Sequence, residues 1–201
     1  LIQDPYDRRG RWRELMPQAQ ELRLELGCGK GVFAAQHALK YPDINIIAAD
    51  IKADMLAVGR RTIESMFGAV DRTHDNVILL RMNIADISKF FAPEDSVDRI
   101  YINFCNPWPK PRHKKRRLTH TRQLEKYKQF LTPNGEIYFK TDDDGLFESS
   151  LLYFEEAGFK LLNKTYDLHN EPIFEKNIET EHEKMFSEQG IKIKALIAQL
   201  R

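Results

Sequence analysis

Short apolar runs alternate with longer segments of helical period along the chain before Thr141. The apolar runs predict strands, which we place over Leu22–Leu26, Ile44–Asp50, Val77–Asn83, Val97–Phe104 and Gly135–Thr141. The segments between them predict helices, which we place over Val32–Lys40, from Lys52 to about Met66, and roughly over Thr119–Leu131. Because repeated strand–helix units with apolar strands are typical of parallel sheets, helices should cover both faces of this sheet.

The pattern changes after Thr141. A helix is predicted over Leu146–Ala157, with Gly158 as its stop, and a strand over Phe159–Tyr166. The tail from Ile191, "IKIKALIAQ", alternates apolar and polar residues, which favours a strand with one wetter face. The predicted fold class is therefore α/β: a doubly wound, Rossmann-like fold with a mostly parallel sheet and an antiparallel C-terminal strand.

Length and composition are those of a globular protein. The 201 residues are 42% hydrophobic and 30% charged and contain no internal repeat or linker, so we expect a single domain over residues 1–201. No apolar run is long enough to cross a bilayer, and the two cysteines, Cys28 and Cys105, have no metal-ligand spacing. These features favour a cytoplasmic enzyme without a metal site or a membrane contact. Because the chain begins with Leu1 rather than Met, we expect the natural N-terminus to extend further.

Positive charge is concentrated in one short stretch of the chain. Its six basic residues are Lys110, Arg112, Lys114, Lys115, Arg116 and Arg117. Without them the 31 basic residues fall to 25 against 30 acidic ones, so that a net charge of +1 becomes −5. A solvated surface normally mixes both signs, whereas this stretch contains no acid. It therefore predicts a surface that binds the phosphates of a nucleic acid.

A glycine-rich turn, "LELGCGKG", ends the first predicted strand. Gly27, Gly29 and Gly31 allow a tight connection and let a ligand approach bare backbone, although any one of them could serve packing alone. Asp50 ends the next strand, where a carboxylate can accept both hydroxyls of a ribose. Glu25, just before the turn, would repel a pyrophosphate. Because S-adenosylmethionine carries a sulfonium and an amino group and no phosphate, the pattern favours it over a nicotinamide dinucleotide.

The segment before the basic stretch is rigid and aromatic. It follows the fourth predicted strand, at the edge of the sheet where such folds bind ligands. Prolines 107, 109 and 111 restrict its backbone, and Trp108 either stacks on a planar base or packs in the core. The Asn-Pro-aromatic turn at Asn106 also resembles loops that hold planar nitrogen nucleophiles in S-adenosylmethionine enzymes. Phosphate contacts would thus lie beside the reacting centre.

Four stretches of the chain together resemble one protein family. In chain order they are "LELGCGKG", "NFCNPWPKPRHKKRRLT", "GEIYFKTD" and "TEHE". They resemble the bacterial tRNA (guanine-N7-)-methyltransferases, a class of S-adenosylmethionine-dependent enzymes, over nearly the whole chain. The resemblance implies a Rossmann-like methyltransferase fold. It also implies methyl transfer from S-adenosylmethionine to N7 of a guanine in the variable loop of tRNA.

The resemblance implies roles for particular residues. In the family, the cofactor is bound at the positions of Glu25, Asp50, Asn83 and Asn106, beside the turn glycines Gly27, Gly29 and Gly31. The substrate is contacted at the positions of Lys110, Asp142, Thr180, Glu181, His182 and Glu183. The RNA-facing loop corresponds to Arg112, His113, Lys114, Lys115, Arg116 and Arg117.

Some of these positions have simpler interpretations from the residues alone. Asn83 could make a turn at the end of its strand, and Asp142 could cap the helix that begins near Asp144. The segment from Thr180 to Glu183 has the form of a capping box. Both kinds of interpretation stay open at the level of the sequence.

Asn106 departs from the family pattern, which usually has Asp at this position as the active-site residue. Guanine N7 carries a lone pair and no proton, so its methylation needs alignment with the methyl carbon and the sulfur rather than a general base. An amide oxygen can orient the base but supplies no negative charge. We therefore expect Asn106 to be the catalytic residue by orienting guanine, with Asp142 sharing the electrostatic contribution.

Three other functions fit parts of the pattern. A methyltransferase for another RNA nitrogen would use the same Asn-Pro-aromatic turn. A catalytically weak or silent tRNA-binding relative would account for Asn106 and Asn83 in place of acids. A nicotinamide-dependent oxidoreductase would share the glycine turn but is disfavoured by Glu25. The sequence leaves open whether the protein is a monomer or a homodimer.

Overall fold

The computed structural model describes residues 5–15, 21–174 and 176–201. The strands in these ranges are β1 (Glu21–Leu26), β2 (Ile44–Asp50), β3 (Val77–Arg81), β4 (Val97–Asn103), β5 (Leu131–Thr141), β6 (Lys160–Thr165) and β7 (Lys194–Gln199). The α-helices are α1 (Val32–Lys40), α2 (Ala53–Gly68), α3 (Thr121–Tyr127), α4 (Asp144–Glu156) and α5 (Glu181–Glu188). These bounds agree with most of the predicted elements to within two or three residues.

The described strands form one sheet in the order β3-β2-β1-β4-β5-β7-β6. The first five strands in this order, from β3 to β5, pair with one another in parallel. Strand β7 is antiparallel to both β5 and β6. The predicted α/β class, with its antiparallel C-terminal strand, is therefore confirmed. Between β1 and β4 the direction of winding reverses, and a crevice for ligands opens at the carboxyl ends of such strands.

Helices cover the two faces of the sheet, which explains why its strands are apolar almost throughout. On one face, Leu24 of β1 belongs to a core cluster with aromatic residues of α3 and α4, including Tyr127 and Phe147. On the other face, Phe33 of α1 and Leu56 of α2 belong to a second cluster. The alternate side chains of β1 on that second face include a buried glutamate, Glu25, and this polar strip leads to the candidate site.

The predicted boundary between α3 and β5 is wrong. The helix ends at Tyr127, and Leu131 already pairs with Val97 as the first residue of β5. The expected turn at Gly135 lies inside β5, where the register with β4 shifts. A Cβ atom at Gly135 would lie 2.8 Å from the carbonyl oxygen of Thr132, so this irregularity requires glycine. The turn residues therefore bend a strand instead of closing a helix.

The C-terminal strand lacks the wetter face that its alternating pattern predicts. It lies between β5 and β6, and its residues from Lys194 to Ala198 are buried. The ammonium of Lys194 donates to the Asp142 carbonyl oxygen at 2.9 Å and lies 2.6 Å from the Asp144 carboxylate. Both faces of β7 are covered, because Leu196 and Ala198 belong to the main core cluster and Ala195 belongs to a further cluster with Leu168 and Ile193. Lys194 is thus paired inside the fold.

Candidate functional site

The glycine turn after β1 presents bare backbone to a cavity. Gly27, Gly29 and Gly31 all have positive φ angles, of 83°, 52° and 68°. A Cβ atom on Gly27 or Gly29 would meet no atom within 4 Å, whereas one on Gly31 would lie 3.4 Å from the Cα atom of Gly59. Gly31 therefore permits α1 and α2 to pack closely, while Gly27 and Gly29 leave room for a ligand.

Asp50 shapes the same turn from the end of β2. Its Oδ2 atom accepts a hydrogen bond from the Gly29 amide at 3.0 Å, and its Oδ1 atom accepts one from the Lys52 amide at 2.9 Å. Each carboxylate oxygen can accept a second bond. Asp50 is thus held in one orientation and keeps capacity to bind vicinal hydroxyls.

Glu25 is a buried carboxylate with an incomplete set of partners. It is 3% exposed, and its Oε1 atom accepts a hydrogen bond from the Asn103 Nδ2 atom at 3.4 Å. Its Oε2 atom is buried without a hydrogen-bond partner among the described residues. Burial raises the pKa of Glu25 to about 8, although the Asn103 hydrogen bond and the Lys140 charge act to lower it. Glu25 therefore has one buried acceptor atom that no described residue engages.

A cavity of about 280 Å³ is lined by Glu25 and by Gly27 and Gly29 of the turn, whose conformation Asp50 supports. It is bounded by the glycine turn, by the end of β4 and by the start of α5. Its lining includes Glu25, Asn103, Phe104, Glu181 and His182. Acidic and backbone groups from β1, β4 and α5 therefore face one space at the carboxyl edge of the sheet.

A buried ion pair holds α5 at this edge. Lys140 on β5 is 3% exposed, and its Nζ atom donates to Glu183 Oε2 at 2.6 Å, to Asn177 Oδ1 at 3.1 Å and to the Ile178 carbonyl oxygen at 3.0 Å. Burial lowers the pKa of Lys140 despite the nearby Glu183 charge. Burial alone would raise the pKa of Glu183, but the Lys140 charge and hydrogen bonds from Lys140, His169 and Asn177 hold it below its usual value.

The predicted substrate segment from Thr180 to Glu183 divides into two kinds of residue. Thr180 Oγ1 accepts from the Glu183 amide at 3.1 Å, and Glu183 Oε2 accepts from the Thr180 amide at 3.5 Å, so the capping box is present. Glu183 is fully buried. Glu181 and His182 line the cavity, and His182 stacks on Phe104 with 6.0 Å between ring centroids. Thr180 lines the cavity as well, but its hydroxyl takes part in the capping box, so Glu181 and His182 are the positions whose side chains line the cavity outside that box.

Hydrogen bonds near Asp142 and Asn83 test whether these residues cap a helix or make a turn, as their sequence context allowed. The carboxylate that caps α4 belongs to Asp143, which accepts from the Leu146 amide at 2.6 Å, so the expected capping role of Asp142 is wrong. The Asp142 side chain is half-buried at the end of β5. Asn83 is exposed and makes the expected turn, because its Oδ1 atom accepts from the Ala85 amide at 3.0 Å. A cofactor contact by Asn83 stays a prediction.

The Asn-Pro-Trp-Pro loop leaves β4 in a constrained backbone. Phe104 and Trp108 have positive φ angles of 54° and 43°, which non-glycine residues seldom adopt. Asn106 is exposed, and its Oδ1 atom accepts from the Trp108 amide at 2.9 Å. Arg117 is 5% exposed and donates through Nε to the Pro107 carbonyl oxygen at 2.8 Å. These bonds hold Asn106 at the surface beside the cavity-lining end of β4.

The basic stretch forms a 3-10 helix, Pro111–Arg116, on the surface. Its exposed cations are Arg112, Lys114, Lys115 and Arg116, with Lys110 exposed just before it. Trp108 is not a core residue: it is half-buried, with the Arg116 guanidinium 5.1 Å from its ring centroid and the His113 ring edge-on at 5.6 Å. The RNA-facing role expected for Arg117 does not fit its burial, because that side chain binds the backbone of the loop.

Asn103 and Lys140 are site residues that the sequence reasoning missed. The two are register partners on β4 and β5, and Asn103 also donates to Glu25 on β1. A signal for Lys140 was present, since a lysine in the buried alternation of "GEIYFKT" needs a partner. Nothing in the sequence indicates that Glu183 is this partner.

Two negative findings concern the described part of the chain. None of its helices is both long and apolar enough to span a membrane. Nor does it contain a group of three or more His, Cys, Asp or Glu side chains arranged to hold a metal ion.

Comparison with known proteins identifies relatives in sequence and in fold. A family described as "Putative methyltransferase" matches residues 19–196. A tRNA (guanine-N(7)-)-methyltransferase of Clostridium beijerinckii is 59% identical over 98% of this chain and 90% of its own length. The enzyme of the same name from Acetivibrio thermocellus is 50% identical over 99% of this chain and 91% of its length. The solved structure of the 16S rRNA methyltransferase KamB superposes with a TM-score of 0.66 at 13% identity, over 94% of this chain and 92% of that one, which shows a shared fold.

The raised pKa of Glu25 predicts a pH-dependent stability of the ligand-free protein. The unfolded chain releases this proton near pH 4.3, whereas the folded protein retains it to about pH 8. The stability that neutral Glu25 contributes is therefore present at pH 4 and is lost as the pH rises through 8. We expect Glu25→Gln to raise the melting temperature relative to the parent at pH 8.5 and to leave it nearly unchanged at pH 4.5.

The measurement is the difference in melting temperature between parent and variant across this range. Glu155→Gln, a change of the same kind at an exposed position of α4, serves as the control and should give a flat difference. Parallel curves for the parent and Glu25→Gln would show that Glu25 ionises normally in the fold.

Proposed function

The chain belongs to the tRNA (guanine-N(7)-)-methyltransferase family, and on that premise we propose that it transfers the methyl group of S-adenosylmethionine to N7 of a guanine in the variable loop of tRNA. One structural observation supports this proposal. The cavity at the glycine turn, which contains the buried carboxyl of Glu25, reaches the end of β4, and the exposed basic loop follows that strand in the chain.

The residues around the cavity fit this cofactor. S-adenosylmethionine has an ammonium group, a sulfonium and a ribose, and Glu25 supplies a buried oxygen without a partner. Gly27 and Gly29 leave space where side chains would otherwise lie, and Asp50 keeps lone pairs for the ribose hydroxyls. We assign the ammonium to Glu25, the ribose to Asp50 and, from the family resemblance, the adenine to the neighbourhood of Asn83. When bound, this cofactor supplies an electrophilic methyl group on sulfur.

The protein's own contribution to the chemistry is alignment. Guanine N7 has a lone pair and no proton, so no side chain has to remove one before attack. Asn106 is held at the surface by the Trp108 amide and can accept a hydrogen bond from the guanine Watson–Crick edge. Asp142, half-buried at the end of β5, supplies negative charge for the cationic product. Lys110, Glu181 and His182 complete the proposed guanine site.

The basic loop positions the RNA. Its exposed side chains, Arg112, Lys114, Lys115 and Arg116, can each neutralise a phosphate. N7 lies in a groove of A-form RNA that side chains cannot enter, so the guanine must be exposed by the tRNA fold or drawn outward. Trp108, with Arg116 and His113 against it, is a preformed aromatic surface for such a base. Cytoplasmic location, and a monomeric or homodimeric state, stay predictions.

Single-turnover transfer of labelled methyl to unmodified tRNA tests the function. The parent should give 7-methylguanosine at one site of the variable loop. Asn106→Asp, which restores the family's usual residue, should react at least as fast as the parent because it adds a charge that stabilises the product. Asn106→Ala should react about tenfold more slowly or worse, because the base loses an orienting hydrogen bond.

Product identity and rate separate the outcomes. A different methylated nucleoside would assign the enzyme to another RNA nitrogen. Tight tRNA binding without transfer by the parent, but with transfer by Asn106→Asp, would identify a silent relative. Transfer by Asn106→Ala at the parental rate would remove Asn106 from the proposed chemistry.

The exposed cations of the loop should set the salt dependence of tRNA binding. We expect the double change Lys114→Ala/Lys115→Ala to reduce the slope of log Kd against log salt concentration by about 1.5, because each phosphate contact contributes roughly 0.7–0.9. The matched control is Lys160→Ala/Lys164→Ala, which removes two exposed lysines of the edge strand β6. Equal slopes for the two double variants would show that the loop does not meet the RNA backbone.

A further inference from the structure

Two buried oxygen atoms at the cofactor cavity have no hydrogen-bond partner among the described residues. They are Oε2 of Glu25 and Oδ1 of Asn103. The two side chains lie on neighbouring parallel strands and touch, with Nδ2 of Asn103 donating to Oε1 of Glu25 at 3.4 Å. Because buried polar atoms are nearly always paired, two unpaired acceptors at one place indicate that a ligand supplies the donors.

We propose that Asn103 is a further cofactor-binding residue, whose amide oxygen receives the α-ammonium group of the cofactor together with the free oxygen of Glu25. This inference rests on the proposed function. A bound ammonium favours the ionised form of Glu25, which can only accept hydrogen bonds, so the Asn103 amide then donates to it through its nitrogen. The amide oxygen is then the Asn103 atom that lacks a partner, and Asn103 lines the cofactor cavity together with Glu25.

The buried cation whose charge acts on Glu25 does not satisfy these oxygens. Lys140 is the register partner of Asn103 on β5, and its charge favours ionised Glu25. All three donors of its ammonium are already committed, to Glu183, Asn177 and Ile178. The donors that Glu25 and Asn103 lack must come from elsewhere.

An ammonium group matches the site better than a neutral donor does. It offers three N–H groups and a full positive charge to two acceptors, one of them a carboxylate. Asp50 on β2, whose charge also acts on Glu25, is acidic and has both oxygens bonded to backbone amides. Lys30 and Glu181 line the same cavity and lie 3.8 Å from each other, so the Lys30 ammonium has its own counter-charge. Ionised Glu25 would therefore find its counter-charge in the ligand, and Asn103 would select for a ligand that carries an amino group.

Calorimetric binding of two ligands tests the assignment. One ligand is S-adenosylhomocysteine, and the other is its deaminated analogue, in which hydrogen replaces the amino group. We expect the Asn103→Ala variant to bind S-adenosylhomocysteine about tenfold more weakly than the parent, which is the size of one hydrogen bond to a charged group. The same variant should bind the deaminated analogue as tightly as the parent does. Asn103→Asp, which keeps an acceptor oxygen, should retain affinity for S-adenosylhomocysteine within about threefold of the parent.

Asn163→Ala, at an exposed position of β6, is the matched control and should bind both ligands like the parent. Binding of the analogue by Asn103→Ala also reports that this variant is folded. An equal loss for both ligands, or no loss for either, would overturn the role of Asn103, as would Asn103→Asp binding no better than Asn103→Ala. If the parent bound neither ligand, the proposed function itself would fail.

Discussion

The candidate site depends on one buried ion pair, between Lys140 of β5 and Glu183 of α5. Lys140 is 3% exposed and Glu183 is fully buried, so neither charge could remain in the fold without the other. The carboxylate is also bonded to His169 and Asn177, which lie in the segment between β6 and α5. The buried charge on β5 is thus compensated by a segment, described over residues 167–174 and 176–183, at the carboxyl edge of the sheet. This segment supplies one wall of the cofactor cavity.

From that pair, the site extends across three neighbouring strands. Lys140, Asn103 and Glu25 lie on β5, β4 and β1; Lys140 has three hydrogen-bond partners, whereas Asn103 and Glu25 bond to each other and each keep one unpaired oxygen. The protein satisfies the lysine completely and leaves the glutamate unsatisfied, so a cationic ligand is favoured where Glu25 is. The other half of the site, beyond Asn103, is a loop whose prolines and Arg117 hold Asn106 in place. A reaction that needs alignment and no general base is consistent with such a rigid frame.

Much of this arrangement could be predicted from the sequence because it is local. Apolar runs located the strands, and the strand ends placed Glu25, Gly27 and Asp50 at one edge. The features that could not be predicted depend on contacts between residues that are far apart in the chain. No local pattern links Lys140 to Glu183, 43 positions apart, or Asn103 to Glu25, 78 positions apart. Arg117 belongs to the basic run in sequence, yet its side chain is buried and bonded to nearby carbonyl oxygens. The expected wet face of β7 is absent because distant residues pack on both of its faces.

The most direct test of the central role of the ion pair is amide hydrogen exchange of the Glu183→Gln variant, with S-adenosylhomocysteine affinity measured on the same protein. Loss of the negative charge leaves Lys140 buried and uncompensated, so exchange should become faster across residues 167–183 while β2 stays protected. The ligand should bind at least about tenfold more weakly. Unchanged exchange in that segment together with parental affinity would contradict the account.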